Sequence, residues 1–318
     1  MTRIVFMGTP DFAVPILKAL IDTQNVVGVV TQPDRPAGRG RQLRPSPVKM
    51  VTQAAGIPLY QPPSLRREET AAPIHAWQPD LIVVAAFGQI LRPHLLNLPP
   101  LGCLNVHASL LPRWRGASPI QHAILAGDTT TGISLMKMNA GLDTGPVYIK
   151  EPLPIGPDET AATLHDRLAD LGATMLTAHL AGIISGRFLP QPQDDSQATY
   201  APMLKKEAGE LDWQKSAAAL DRRVRAMTPW PGAFTWWDGL LLKIKAAAPV
   251  ATEGLPAAEP GRVVAGPAQT ESGGDTAVVL TAAGGLQLQK VQLAGKQEMT
   301  IGDFVRGRPD FIGATLGK

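Results

Sequence analysis

The sequence predicts an α/β protein in which a doubly wound sheet is followed by a smaller β-barrel domain. Apolar segments at Arg3–Met7, Asn25–Val30 and Asp80–Phe87 alternate with helix-like stretches, as in parallel βαβ units. The third segment is continuously apolar, which is typical of a parallel strand covered on both faces. Beyond Trp230, short apolar segments separated by glycine-rich turns favour a small barrel.

Length and composition set the outer limits. The chain has 318 residues, 44% of them hydrophobic, which is enough for two domains with substantial cores. Cys103 is the only cysteine, so the chain cannot form an internal disulfide or a multi-cysteine metal site. The histidines show no ligand-like spacing, and we expect no metal. The first residues do not resemble a secretory signal, and no apolar run reaches about 20 residues, so we expect a cytoplasmic protein.

Periodicity places the remaining elements and the domain boundaries. We expect a first domain over 1–189, a linker over 190–205 that is polar and includes Pro190 and Pro192, and a second domain over 206–318. The other expected elements are helices at Phe12–Ile21, Glu159–Ile184 and Ser216–Met227, a strand at Ile133–Met138, and a terminal helical stretch from Ile301.

The stretch that begins at Cys103 carries the most chemistry. Apolar and polar residues alternate over Cys103–His107, so Asn105 and His107 project to the same face of a strand. An amide donor beside an imidazole suits a tetrahedral oxyanion, because Asn can donate to the negative oxygen and His can donate or move a proton. A polar pair on a strand is more often only a satisfied hydrogen-bonded pair. The strand runs into a proline-containing loop, where ligand sites gather in open α/β sheets.

A second polar loop, Gly141–Gly145, holds Asp143 between two glycines. Taken alone, it would usually be a plain turn. Combined with Asn105 and His107, Asp143 would supply the missing base. The first turn of the chain is not Gly-x-Gly-x-x-Gly, so dinucleotide binding has no support. The segment Phe87–Ile90 follows the third strand and could lend backbone groups to a ligand, although an ordinary turn is equally compatible.

The segment Gln32–Lys49 is rich in arginine, proline and glycine, too rich in the last two for regular structure. Against one acid, Asp34, it carries Arg35, Arg39, Arg41, Arg44 and Lys49. Arginine pairs with phosphate through two parallel donors, so this segment is a candidate phosphate-binding loop. Such a loop would become ordered when its partner binds.

Four segments together resemble the bacterial methionyl-tRNA formyltransferases, a family of folate-dependent enzymes. They are Met7–Ala13, Thr31–Gly40, Asn105–Gln121 and Gly141–Gly145. The likeness extends over nearly the whole chain. Asn-x-His with a later Asp is shared by folate-dependent formyltransferases of this fold, so it indicates the chemistry only. Ala108 departs from the glycine of many relatives, a change that should not affect the chemistry.

The resemblance implies a Rossmann-like catalytic domain, an OB-like second domain that binds tRNA, and a monomer. The implied co-substrate is 10-formyltetrahydrofolate and the acceptor is the α-amino group of methionyl initiator tRNA. The implied catalytic residues are Asn105, His107 and Asp143. The implied folate contacts are Ser109, Leu110, Leu111 and Pro112, together with Phe87, Gly88, Gln89 and Ile90. The expected tRNA contacts are Arg35, Arg39, Arg41, Arg44, Lys205 and Lys206.

Two other functions remain open at this stage. A formyltransferase acting on a small amine, such as a nucleotide sugar, would share the same three catalytic residues but would have little use for the arginine-rich loop. A non-catalytic RNA-binding protein on the same scaffold would not need the three residues intact.

Overall fold

The computed structural model describes residues 1–37, 42–251, 253, 256–266 and 276–317. The chain divides into two compact units. The first contains Met1–Pro119, Thr129–Ile155 and Leu164–Pro202. The second contains Ile120–Asp128, Gly156–Thr163 and the chain from Met203 onward. Residues 190–202, within the stretch expected to be a linker, therefore lie in the first unit.

The first unit is built on a seven-stranded sheet. Its strands are β1 (Arg3–Gly8), β2 (Asn25–Val30), β5 (Leu59–Tyr60), β6 (Leu81–Ala85), β7 (Cys103–His107), β8 (Thr130–Lys137) and β9 (Val147–Pro154). The spatial order is β5-β2-β1-β6-β7-β8-β9. The first five strands in this order are parallel, and β8 and β9 continue the sheet antiparallel. A separate hairpin joins β3 (Arg35–Ala37) to β4 (Gln42–Arg44).

Helices cover both faces of this sheet. They are α1 (Ala13–Thr23), α2 (Pro47–Ala54), α3 (Ala72–Ala76), α4 (Pro93–Leu96) and α6 (Ala161–Ile184), while α5 (Pro119–Ala126) lies almost wholly in the second unit. Cys103 packs in one core cluster with Ile74 of α3 and Leu95 of α4. On the opposite face, α6 approaches Val106 at Gly172. This two-sided covering confirms the predicted doubly wound fold.

The segment between β2 and α2 is more regular than its composition predicts. Besides the β3–β4 hairpin, helix α2 begins at Pro47, directly after Ser46, whose hydroxyl accepts from the backbone N–H of Lys49. The prediction of no regular structure is wrong here. Proline is favourable in the first turn of a helix, where its missing N–H has no intrahelical partner in any case.

The parallel strands position the functional edge. Strand β1 lies between β2 and β6, so the chain adds strands on one side of β1 first and then on its other side. Ligands of open α/β sheets bind beyond the carboxyl ends of the strands at such a switch point. The ends of β1 and β6 lie there, and β7 is the next strand along. All five residues of β7 are buried.

The second unit is an antiparallel half-barrel. Its strands are β10 (Ala233–Trp237), β11 (Leu240–Val250), β12 (Val263–Ala265), β13 (Ala277–Leu280), β14 (Gly285–Leu293) and β15 (Met299–Thr300). Helix α7 (Ala217–Ala226) precedes them in the chain, and helix α8 (Ile301–Gly307) follows them. The sheet order is β10-β11-β14-β13-β12, with β15 pairing β14. Trp237, Phe304 and Phe311 meet edge to face in its core, with ring centroids 5.0–5.5 Å apart.

Three arginines of α7 have structural partners inside this unit. Arg222 donates to the carbonyl oxygen of Leu125, Arg223 to that of Ala208, and Arg225 to that of Glu159. These side chains tie the helix to neighbouring backbone. Among the residues described, none of the helices has the length and apolar character that a bilayer crossing requires.

Candidate active site

Asn105 and His107 lie at the end of β7 and face the same side of the sheet. Backbone pairing with β6 on one side and β8 on the other fixes their position. Both side chains are buried, with 9% and 7% of their surface exposed. Buried polar side chains require hydrogen-bond partners, so their surroundings determine what chemistry they can perform.

Asp143 completes the predicted group of three. Its Oδ1 lies 3.4 Å from the Nδ2 of Asn105, and its Oδ2 lies 3.8 Å from the Nδ1 of His107. The same Oδ2 accepts a hydrogen bond of 2.9 Å from the backbone N–H of Gly116. The structure thus brings an amide, an imidazole and a carboxylate together at one point. We refer to Asn105, His107 and Asp143 as the polar trio.

The loop that carries Asp143 folds back over the sheet to reach this point. It leaves β8 at Lys137, which pairs with Leu104 near the start of β7. The side chain of Asn139 accepts from Gly141 and Thr144 and closes the turn. Asp143 has φ +51°, a left-handed conformation that costs a non-glycine residue about 1–3 kcal/mol unless surrounding contacts hold it.

The tautomer of His107 follows from its second contact. Its Nε2 lies 3.1 Å from the carbonyl oxygen of Trp114. A carbonyl can only accept, so Nε2 carries a proton in this hydrogen bond, and Nδ1 is the nitrogen that faces Asp143. Trp114 has φ +62°, and its N–H donates to the Oγ1 of Thr199 at 2.9 Å. The ring of His107 is therefore oriented through Trp114 by a residue far along the chain.

The expected folate contacts after β7 divide into buried and accessible side chains. The Oγ of Ser109 donates to the carbonyl oxygen of Arg113 at 2.6 Å, and the Oγ of Ser134 donates to the carbonyl oxygen of Ser109, also at 2.6 Å. Ser109 and Leu111 are fully buried, whereas Leu110 and Pro112 retain exposed surface. Only the last two present side chains to a ligand.

The expected contacts after β6 form an anchored loop. The carbonyl oxygen of Phe87 accepts from the Oγ1 of Thr9 at 3.0 Å and from the Nε2 of Gln32 at 2.9 Å. Gly88 has φ +80°, and a Cβ at this position would collide with Gln32. The side-chain oxygen of Gln89 accepts from a backbone N–H, whereas Ile90 is 70% exposed. Ile90 is thus the accessible apolar side chain of this loop.

The expected phosphate contacts lie on exposed parts of the chain. Arg35 and Arg44 are exposed on the β3–β4 hairpin, and Arg35 donates to the side-chain oxygen of Gln32. At the base of the hairpin, Asp34 pairs with Lys49 at 2.7 Å. Hydrogen bonds from Lys49 and then Gln61 lower the pKa of Asp34. Arg39 and Arg41 fall outside the described residues. In the second unit, Lys205 and Lys206 are exposed.

Sequence reasoning missed several residues that hold the site together. Gln193 lies in the expected linker, and no motif indicated it. Arg115 belongs to one of the family-like segments but was given no role, and it is almost fully buried, at 2% exposure. Thr199 supports Trp114. The Cys103 thiol is buried against the backbone of α4, and burial raises its pKa to about 12.

A carboxylate, an imidazole and an amide at the carboxyl edge of a doubly wound sheet define the site of a group-transfer enzyme that stabilises an oxyanion. The family model described as "Formyl transferase" matches residues 2–180, and "Formyl transferase, C-terminal domain" matches residues 203–309. Proteins named methionyl-tRNA formyltransferase from Trichlorobacter lovleyi and Methylococcus capsulatus are each 48% identical to the chain. Both alignments cover 99% of this chain, with 96% and 99% of the respective relative.

Solved structures give the same fold at lower identity. An N-formyltransferase from Helicobacter canadensis, in complex with folinic acid and dTDP-3-aminofucose, superimposes with a TM-score of 0.66 and 15% identity. The match covers 91% of this chain and 99% of that one. With these matches, the chain belongs to the formyltransferase family, among the methionyl-tRNA formyltransferases.

Proposed function

We propose that the protein transfers the formyl group of 10-formyltetrahydrofolate to the α-amino group of methionyl initiator tRNA. The observation that carries the proposal is the convergence of Asn105, His107 and Asp143 in a chain that matches methionyl-tRNA formyltransferases along almost its entire length. The reaction supplies formylated methionyl-tRNA for the initiation of translation.

The acceptor amine needs little activation. A free α-amino group has a pKa of about 7.7–8.0, so an appreciable fraction is neutral near pH 7. The neutral amine adds to the formyl carbon and forms a tetrahedral centre with a negative oxygen. The Nδ2 of Asn105 donates to this oxygen. The Nε2 proton of His107 is held by the carbonyl oxygen of Trp114, so the ring assists through Nδ1, which donates only when it carries a second proton.

Asp143 takes the proton that the amine loses, directly or through a water molecule. The oxyanion then re-forms the carbonyl as the bond from the formyl carbon to the folate nitrogen breaks, and Asp143 returns its proton to that nitrogen, directly or through the water. Asp143 also faces the Nδ1 of His107 and holds the ring beside the reacting carbon. The amide, ring and carboxylate thus act on one centre.

Folate binding is assigned to the edge beside the polar trio. The proposed contacts are the backbone of Ser109–Pro112 with the side chain of Leu110, and the loop Phe87–Ile90. Apolar surface at Leu110 and Ile90 suits an aromatic ring system, and the anchored backbone between Phe87 and Gln89 suits its polar edge. The Helicobacter relative, solved with folinic acid, supports a folate site in this fold.

The RNA contacts are assigned to exposed basic side chains. We retain 1–189 as the catalytic domain, 190–205 as the linker and 206–318 as the tRNA-binding domain. Arg35, Arg39, Arg41 and Arg44 would bind phosphates near the acceptor end, and further contacts would come from Lys205, the last residue of the linker, and Lys206, the first of the second domain. Contacts of this kind are electrostatic and weaken as salt is added.

The test is formyl transfer with defined donors and acceptors. The protein is incubated with 10-formyltetrahydrofolate and charged methionyl initiator tRNA, and formylmethionyl-tRNA is measured after hydrolysis of the ester. We expect product only when both substrates are present. A nucleotide sugar with a free amine serves as the competing acceptor. Formylation of that sugar with none on methionyl-tRNA would overturn the proposal.

A further inference from the structure

We propose that Gln193, on the segment that follows α6, is a positioning residue for the catalytic Asp143. The inference rests on the proposed function. The Nε2 of Gln193 donates to the carbonyl oxygens of Asp143 and Gly145, both at 2.7 Å. These two carbonyls bracket the turn from which the carboxylate projects. Gln193 therefore acts on Asp143 through the backbone of the loop and does not touch the reacting atoms.

Arg115 fixes the orientation of the Gln193 amide. The Nε and Nη2 of Arg115 donate to the Oε1 of Gln193 at 3.0 and 2.9 Å. A flipped amide would place its NH₂ group against the guanidinium and its oxygen against two carbonyls. The same Nη2 also donates to the Oδ1 of Asp195 at 2.6 Å, which further restrains the guanidinium. The donors of Gln193 are thus committed to the Asp143 loop.

The segment that carries Gln193 is itself anchored on both sides. Before it, Gln191 and Val147 exchange two backbone hydrogen bonds of 2.8 Å. After it, the N–H of Arg115 donates to Thr199 at 2.9 Å, and Ala201 donates to Arg115 at 2.7 Å. The anchors bind it to β9 and to the loop that follows β7. Gln193 therefore has a firm support from which to hold a third loop.

The Asp143 loop needs such a support because of its path. It leaves β8 near the start of β7 and returns to the other end of that strand, where Asn105 and His107 lie. Asp143 adopts φ +51°, which persists only where neighbouring contacts determine it. Without Gln193, the two carbonyls lose these donors, and the carboxylate is free to drift from its position beside His107.

The variant Gln193→Glu separates positioning from support of the fold. It is isosteric and still offers Arg115 an acceptor, but it removes both donors to the loop. We expect kcat for formyl transfer to fall by about 10- to 100-fold, since a displacement of about 1 Å can cost 10²-fold. The KM values for methionyl-tRNA and for the formyl donor should each stay within about threefold. Gln193→Met, which is neutral, should give the same pattern.

Gln191→Ala is the matched control on the same segment. Within the described residues, the Gln191 side chain makes one hydrogen bond, from its Nε2 to the carbonyl oxygen of Leu189 at 3.4 Å. We expect wild-type kcat and KM from this variant. Thermal unfolding and binding of the formyl donor identify variants that remain folded. If either folded Gln193 variant has the kcat of Gln191→Ala, or loses activity only through KM, the inference is wrong. An inactive wild-type protein would instead refute the proposed function.

Discussion

Two regions of the first unit differ in the burial of their polar side chains: the catalytic edge, at the end of β7 around Asn105 and His107, and the β3–β4 hairpin. At the catalytic edge, Asn105 and His107 are more than nine-tenths buried, and their polar atoms meet partners from the chain. On the hairpin, Arg35 and Arg44 are exposed. At its base, Asp34 forms an ion pair with Lys49 and accepts a hydrogen bond from Gln61. The side chains at the end of β7 are therefore held in place before a substrate binds, whereas the hairpin presents charged side chains to the solvent.

The difference follows from what each region must recognise. An oxyanion is stabilised only by donors already placed where the charge will develop, so the surrounding structure must hold them still. A polyphosphate is attracted over a distance of about 8 Å in physiological salt, and flexible arginine side chains adapt to it at contact. We therefore expect burial to mark the residues that perform the proposed chemistry, and exposed charge to mark those that deliver the acceptor.

The largest contrast should appear in thiol reactivity. The pKa of Cys103, at the start of β7, is raised by burial to about 12, so at pH 8 its thiolate fraction is about 10³-fold lower than that of an ordinary cysteine. In the variant Arg44→Cys, the hairpin carries a second, exposed thiol. With an alkylating reagent, we expect one equivalent to react quickly and the second only after denaturation. Equal alkylation rates for the two thiols would contradict the burial of Cys103 in β7.

The next effect separates the two regions by turnover. Asn105→Ala removes one oxyanion donor, and we expect kcat to fall by about 10²–10³-fold while folate binding survives and the KM for tRNA is little changed. Asn97→Ala, an exposed asparagine after α4, is the control and should behave as wild type. Unchanged turnover in Asn105→Ala would remove Asn105 from its proposed role.

The smallest effect belongs to the hairpin. Arg44→Ala should raise the KM for methionyl-tRNA about two- to fivefold, because an exposed charge contact contributes up to about 1 kcal/mol. Its kcat and folate KM should stay constant, and the slope of log binding against log salt should fall by about one. Arg187→Ala, an exposed arginine after α6, is the control. An equal effect on tRNA and folate would contradict the assignment.

Local patterns in the sequence predicted much of the catalytic edge. Side chains alternate across a strand, so Cys103–His107 alone places Asn105 and His107 on one face. The continuously apolar β6 indicated a buried parallel strand, and the glycines around Asp143 indicated a tight turn. The facing of side chains on a strand, the burial of β6 and the tight turn depend on residues that are close in the chain, so short sequence patterns predict them. The regular hairpin and α2 were missed because proline and glycine content says little about which turn position each occupies.

Only the tertiary structure decided how the pieces meet. Asp143 reaches His107 although its loop leaves β8 near the other end of β7, and Gln193, 50 residues further along, holds that loop by donating to backbone carbonyls. The arginines of α7, which resemble a basic surface in the sequence, bind carbonyl oxygens inside the second unit. Every residue has the same backbone carbonyl group, so a side chain can bind a carbonyl oxygen whatever the residue type. Such a contact therefore produces no recognisable pattern in the sequence. The sequence determined which groups could react, and the packing of distant segments determined where they stand.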